Sequence, residues 1–212
     1  MSISENIQKI KSEIPKEITL VAVSKTKPIS DIEQAYNSGQ LIFGENKVQE
    51  LVEKHEKLPK DIQWQMIGHL QTNKVKYIAP FVNLIHGVDS EKLLKEIDKR
   101  ARQNDRIIDC LLQVHIATES TKFGFLENEL EEIIKKLENY KNVNIIGFMG
   151  MATFTDNKNQ IKEEFSFLST IYKQHKQMNT LSMGMSGDYK IAISCGSNMI
   201  RIGSTIFGNR NY

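Results

Sequence analysis

The sequence predicts an α/β chain folded as a single (β/α)8 barrel, and three observations predict it. Apolar runs of strand length alternate with amphipathic stretches about eight times along the 212 residues. No GxGxxG follows the first apolar run, which disfavours the open doubly wound sheet. No Pro/Gly/Ser-rich linker, internal repeat or low-complexity block divides the chain, so residues 1–212 read as one domain.

Each element follows from local pattern. Ile3, Ile7 and Ile10 fall at helical spacing and predict a leading helix over 3–13. TLVAVS (19–24) reads as a strand. SDIEQAYNSG (30–39) reads as a helix with a Ser N-cap and a Gly stop. LIFGEN (41–46) is a second strand, and KVQELVEKHEKL (47–58) is amphipathic. IQWQMIG (62–68) is strand-like and precedes the short helical pattern LQTNKVKYIA. VNLIHGVD (82–89) leads into SEKLLKEIDKRARQN (90–104), a helix with a capping serine. IIDCLLQVHI (107–116) and VNIIGFMGMAT (143–153) are strands, with a helix over 126–140 between them and another over 160–178. LSMGMSGDYKIAI (181–193) gives a short strand, a turn and a helix, and MIRIGSTIFG (199–208) closes the series.

Composition excludes several classes of function. Hydrophobic residues make up 40% and charged residues 25%, the balance of an ordinary globular chain. Lys+Arg 28 against Asp+Glu 26 gives no field that would gather nucleic acid or a membrane surface. The polar start MSISENIQKIKSEIPKEI carries no signal-peptide core, and no window approaches the ~20 apolar residues of a membrane span. Cys110 and Cys195 lack metal-ligand or disulfide spacing and read as buried free thiols. A soluble protein of a reducing cytoplasm is expected.

In a parallel barrel the functional groups gather at the C-terminal ends of the strands. The first strand delivers Lys25 there. A lysine partly desolvated at a barrel mouth is biased toward its neutral amine, the form that attacks an aldehyde to make a Schiff base. The alternative is a side chain that snorkels to solvent. The segments SMGMSGD (182–188) and RIGST (201–205) offer small residues, backbone N–H groups and hydroxyls in the loops after the last two strands. Barrels often bind phosphate in those loops; the plain alternative is two ordinary turns. Arg201 lies inside the apolar run MIRIG and needs an anion or an acceptor such as an aromatic ring nitrogen; a structural salt bridge is the other reading. His86 and His115 read as interior packing residues. Met149, Met151, Met183 and Met185 read as gap fillers. Lys27, two places beyond Lys25, is read as facing solvent. No serine nucleophile with a base and no metal-ligand cluster is seen. A ligand with both an aldehyde and a phosphate would use all of these groups: pyridoxal 5′-phosphate is one, a sugar phosphate aldehyde another.

Taken together, VAVSKTKP, FGENKVQE, WQMIGHLQTNK, GFMGMAT, LSMGMSGDY and RIGSTIFG resemble the pyridoxal phosphate homeostasis protein family, from about residue 3 to the C-terminus. The resemblance implies one barrel like the N-terminal domain of alanine racemase, the fold type III of pyridoxal-phosphate proteins. It implies pyridoxal 5′-phosphate as cofactor, with Lys25 as the Schiff-base lysine. Ser186, Gly203 and Ser204 would be phosphate contacts, and Arg201 would face the pyridine nitrogen. Asn46 and His69 would line the cofactor region, and Met149 would pack near the ring. Ser204 stands where threonine is common, which keeps the hydroxyl. Lys122 matches a further lysine outside the main pocket.

The function implied is a monomeric carrier or regulator of intracellular vitamin B6 without turnover. Its partners would be the cofactor itself and pyridoxal-phosphate-dependent apoenzymes or enzymes of B6 metabolism. The alternative is an amino-acid racemase. That enzyme class needs a second base on an additional domain, for which the chain leaves no room. An arginine at the ring nitrogen also weakens the electron sink. A Schiff-base aldolase using Lys25, with Glu45 as proton shuttle, is the third reading.

Overall fold

The computed structural model describes residues 2–119 and 121–208. The elements alternate as the sequence predicts: α1 (Ile3–Glu13), β1 (Thr19–Val23), α2 (Ile29–Asn37), β2 (Ile42–Glu45), α3 (Val48–Lys57), β3 (Gln63–Met66), α4 (Val75–Ile78), β4 (Leu84–Val88), α5 (Glu91–Gln103), β5 (Ile108–Gln113), α6 (Glu127–Lys135), β6 (Val143–Met149), α7 (Lys158–Gln174), β7 (Thr180–Ser182), α8 (Tyr189–Ser194), β8 (Met199–Ile202) and α9 (Ser204–Phe207). The eight strands close into a parallel barrel in chain order. Closure is made by β1 against β8, with Val21 beside Arg201 and Ala22 beside Ile202.

Helix ends follow their caps. Ser2 and Glu5 form a capping box at α1, and the Ser90 hydroxyl accepts the Leu93 N–H at the start of α5. One expected cap is corrected. The helix α2 starts at Ile29 after Pro28, so Ser30 lies inside the first turn and caps nothing. Proline fixes φ and has no N–H to lose, so it takes the boundary that the serine was expected to hold. The predicted helix over 126–140 is shorter as well: α6 ends at Lys135, and a 3-10 turn covers Leu137–Asn139.

Strand alternation splits the buried side chains between two faces. The outward face, with Phe43, Trp64 and Phe148, packs against the helices. The inward face holds an apolar layer of Val21, Leu84, Leu111, Met149 and Met199. Two residues further along their strands, toward the C-terminal end, stand His86, Gln113 and Arg201, all buried. The barrel therefore changes from apolar to polar at the level of its mouth. Two glycines let the backbones close in there: a Cβ on Gly68 would lie 2.6 Å from the Asn46 carbonyl oxygen, and one on Gly87 would lie 2.9 Å from that of Gly68. Among the described residues no helix is long and apolar enough to cross a membrane, and no cluster of three or more His, Cys, Asp or Glu could hold a metal ion.

Candidate functional site at the barrel mouth

Lys25 stands two residues beyond β1, half-buried. The Ser24 hydroxyl turns outward to Glu45 at 2.5 Å, so the next residue emerges on the inner side. The neighbouring corner belongs to β8: a Cβ on Gly203 would touch the carbonyl oxygen of Val23 at 3.3 Å. Lys25 thus leaves the barrel beside Gly203 and Ser204.

Ser186 comes from the loop after β7, and its hydroxyl accepts the Gly203 N–H at 3.2 Å. The two loops picked out in the sequence are therefore joined. Among the described residues, no acceptor meets the backbone N–H groups of Ser186, Gly187, Ser204 or Thr205. A Cβ on Gly187 would meet nothing within 4 Å, so there is open space beside that residue. Gly184 shapes the approach: its φ is +92°, and a Cβ would press on Ala192 at 2.7 Å.

Arg201 is 3% exposed. Its Nη1 donates to the Ser182 carbonyl at 2.9 Å and the Ser182 hydroxyl at 2.5 Å, and its Nη2 donates to the Gly150 carbonyl at 3.1 Å. A guanidinium has five N–H donors, so some remain for another acceptor. Among the described residues no carboxylate pairs with it directly, which removes the salt-bridge reading. Burial pushes its pKa down to about 10, with Asp188 opposing, so it stays cationic at neutral pH.

Behind Arg201 runs a directed chain of hydrogen bonds. The Ser182 hydroxyl accepts from Arg201 and lies 3.1 Å from His86 Nδ1; His86 Nε2 lies 2.7 Å from Gln65 Oε1. Burial, reinforced by Arg201, drives the His86 pKa well below its ordinary 6.5. A neutral imidazole that donates to Gln65 through Nε2 accepts from Ser182 through Nδ1. Serine, histidine and glutamine thus satisfy one another and fix the orientation of the guanidinium.

The other expected site residues lie around this centre. Met149 ends β6 within the inner apolar layer, next to Gly150. Asn46 backs onto Gly68 between β2 and β3. His69 sits on the rim, its Nδ1 2.8 Å from Asp89 and its ring stacked on Phe123 at 3.9 Å. Lys122 donates to Glu119 and the Ala152 carbonyl.

Three expectations are corrected. Lys27 does not run to solvent; its ammonium donates to the carbonyls of Phe207 and Gly208 at 2.9 and 3.3 Å. The unsatisfied carbonyls at a helix C-terminus attract a cation. Glu45 does not face the mouth: Gly44, which touches Val21, takes the inner face, and Glu45 turns outward to Lys54. An aldolase-type shuttle between Glu45 and Lys25 is thereby excluded. Met185 is exposed, whereas Met149 and Met183 fill the core.

Comparison with known proteins agrees with the barrel fold. The family model described as alanine racemase, N-terminal domain, matches residues 1–211. The pyridoxal phosphate homeostasis protein of Pasteurella multocida is 35% identical over 233 residues, covering 100% of this chain and 99% of that one. The chain belongs to the pyridoxal phosphate homeostasis protein family. Another member, from Aquifex aeolicus, is 38% identical over 199 residues, covering 91% of this chain and 87% of its own. The solved structure of PipY from Synechococcus elongatus, with PLP bound, superposes with a TM-score of 0.90 at 32% identity, covering 98% of this chain and 100% of that chain. Alanine racemase from E. faecalis shares the fold alone, with a TM-score of 0.79 at 16% identity over 58% of its length.

Sequence reasoning did not pick out Gln65 and Ser182 as the hydrogen-bond partners of His86 and Arg201. Gln65 and Ser182 carry no motif of their own. Their signal was polar residues at inward parity in apolar strands, which becomes readable once the inward face of each strand is assigned.

Proposed function

We propose that this chain, as one barrel domain, holds pyridoxal 5′-phosphate at its mouth and serves its homeostasis as a carrier or regulator rather than as a catalyst. The residues fit the group. The paired loops offer a phosphate hydroxyls and the N–H groups of Ser186, Gly187, Ser204 and Thr205, which meet no acceptor among the described residues. Arg201 has spare donors for a ring nitrogen lone pair. Bound there, the cofactor supplies an electrophilic aldehyde carbon, and Lys25 supplies the amine that holds it. Asn46, Met149 and His69 border the same mouth and contact or shield the ring.

The observation that carries the reading is the buried Arg201 with no carboxylate partner among the described residues. As a cation with only donors, Arg201 offers a pyridinium N–H no acceptor and repels its charge, so it would hold the ring nitrogen unprotonated. An unprotonated ring is a poor electron sink, which favours holding over turnover. The experiment is an absorbance titration with pyridoxal 5′-phosphate, followed by borohydride capture and peptide mapping, beside Lys25→Ala. The reading expects capture on Lys25, none in the variant, and no racemisation or transamination above the free-cofactor rate. Sustained turnover of an amino acid would replace the carrier with an enzyme.

A further inference from the structure

The segment that carries Lys25 is held from behind. Thr26, the next residue, has φ at +64°, a left-handed conformation that a β-branched residue keeps only when its surroundings enforce it. The enforcing groups lie on α3. The Thr26 N–H donates to Glu50 Oε1 at 2.5 Å. The same oxygen accepts from Lys54 Nζ at 2.7 Å. Lys54 donates further to the Ser24 carbonyl at 2.8 Å and to Glu45 Oε1 at 2.7 Å, which uses all three of its protons. Glu45 Oε1 also accepts the Ser24 hydroxyl. The carbonyl before Lys25 and the N–H after it are thus tied to one cluster on the outer face of the barrel.

Lys54 is only 4% exposed and Glu45 is fully buried. A buried ammonium with two carboxylates is a poor device for stability alone, since apolar residues of the same volume serve as well or better. Two of the cluster's bonds, Lys54 to the Ser24 carbonyl and the Thr26 N–H to Glu50, grip the backbone on either side of one residue.

We propose that Glu50 and Lys54 are positioning residues for Lys25: their cluster locks the Ser24–Thr26 backbone in the strained turn that directs the Lys25 amine into the barrel mouth. The inference rests on the reading of Lys25 as the amine that holds pyridoxal 5′-phosphate.

The test uses that cofactor as probe, the whole chain, and three variants: Glu50→Ala, Glu50→Gln, and Glu50→Ala with Thr26→Gly. Glu50 is partly exposed, with 21% of its side chain accessible, and its truncation leaves Lys54 with Glu45 and the Ser24 carbonyl as acceptors. Affinity is read by absorbance, covalent capture on Lys25 by borohydride and peptide mapping, and folding by the thermal midpoint. Glu50→Ala should weaken affinity and slow capture about tenfold, a change of about one hydrogen bond, with the midpoint lowered by no more than a few degrees. Glu50→Gln keeps an acceptor for Thr26 and should stay within about twofold of the wild type. Glycine enters the left-handed region without strain, so the double variant should recover most of the loss. Wild-type capture rates in Glu50→Ala, equal losses in Glu50→Gln, or no recovery with Thr26→Gly would each overturn the positioning role while leaving the carrier reading intact. A wild type that captures nothing would overturn both.

Discussion

The hydroxyl of Ser186 accepts the backbone N–H of Gly203 at 3.2 Å, joining the loop after β7 to the loop after β8. The bond crosses the point where the proposed phosphate cradle would otherwise be two independent turns. It leaves the Ser186 O–H proton itself available as a donor, because the bond uses only a lone pair of that oxygen.

Ser186→Ala should therefore act twice. It removes a donor to phosphate, and it strands the Gly203 N–H. Affinity for pyridoxal 5′-phosphate should fall about tenfold, and stability by about 1 kcal/mol. Absorbance titration and urea unfolding separate the two effects. Ser186→Thr keeps the hydroxyl and should restore both. A variant with unchanged affinity would take Ser186 out of the cradle.

The Ser182 hydroxyl lies between Arg201 and His86, so Ser182→Ala should be felt at both. Arg201 retains the Ser182 carbonyl, but the His86 Nδ1 loses its only donor among the described residues inside a fully buried setting. An orphaned buried acceptor costs about 1–3 kcal/mol, measurable as a shift in the urea midpoint with unchanged slope. Cofactor affinity should fall as well, because the guanidinium is less firmly aimed. A loss of stability with no loss of affinity would separate His86 and Ser182 from the site.

Much of this was readable in advance, and the exceptions share a cause. Strand–helix alternation and the position of Lys25 at the end of LVAV depend on local periodicity, which a single strand displays on its own. The cluster around Lys54 does not. In KVQELVEKHEKL that lysine looks like one more cation on a solvated face, and only the packing of α3 on β1 and β2 puts Glu45 and the Ser24 carbonyl against it. The same holds for His86, whose partners Gln65 and Ser182 lie 21 and 96 residues away. Lys27 was misread because its acceptors are carbonyls of a helix at the other end of the chain. Polar partnerships across a barrel become visible only when the inward and outward faces of all eight strands are known together.

Gly147 tests how tightly the barrel is drawn at β6 and β7. It is paired with Thr180, and a Cβ there would lie 1.7 Å from the Thr180 carbonyl oxygen. Neither backbone can yield without opening the ladder. Gly147→Ala should cost upward of about 4 kcal/mol, or give no folded protein. Gly187→Ala, where a Cβ meets open space, serves as the matched control and should leave the urea midpoint nearly unchanged. Equal midpoints for the two variants would contradict the close approach.

Glu45 makes stability depend on pH with a definite sign. Burial raises its pKa from 4.5 to about 7, against the opposing pull of Lys54 and Ser24. Its Oε2 is buried without a hydrogen-bond partner among the described residues, consistent with a carboxyl that holds a proton easily. Between pH 4.5 and about 7 the folded state then binds a proton that the unfolded chain has released, so stability falls as pH rises through this window and levels off above it. The full difference is on the order of 3 kcal/mol. His86 acts in the opposite sense: its depressed pKa costs stability as pH falls below about 6.5. The two must therefore be separated by a difference measurement. Glu45→Gln keeps an acceptor for Lys54 and Ser24 but cannot ionise. The stability of the variant minus that of the wild type, from urea unfolding, should climb between pH 4.5 and about 7 and stay flat beyond. A difference that stays flat across the whole range would mean that Lys54 keeps Glu45 ionised throughout, and the cluster behind Lys25 would then carry a fixed negative charge.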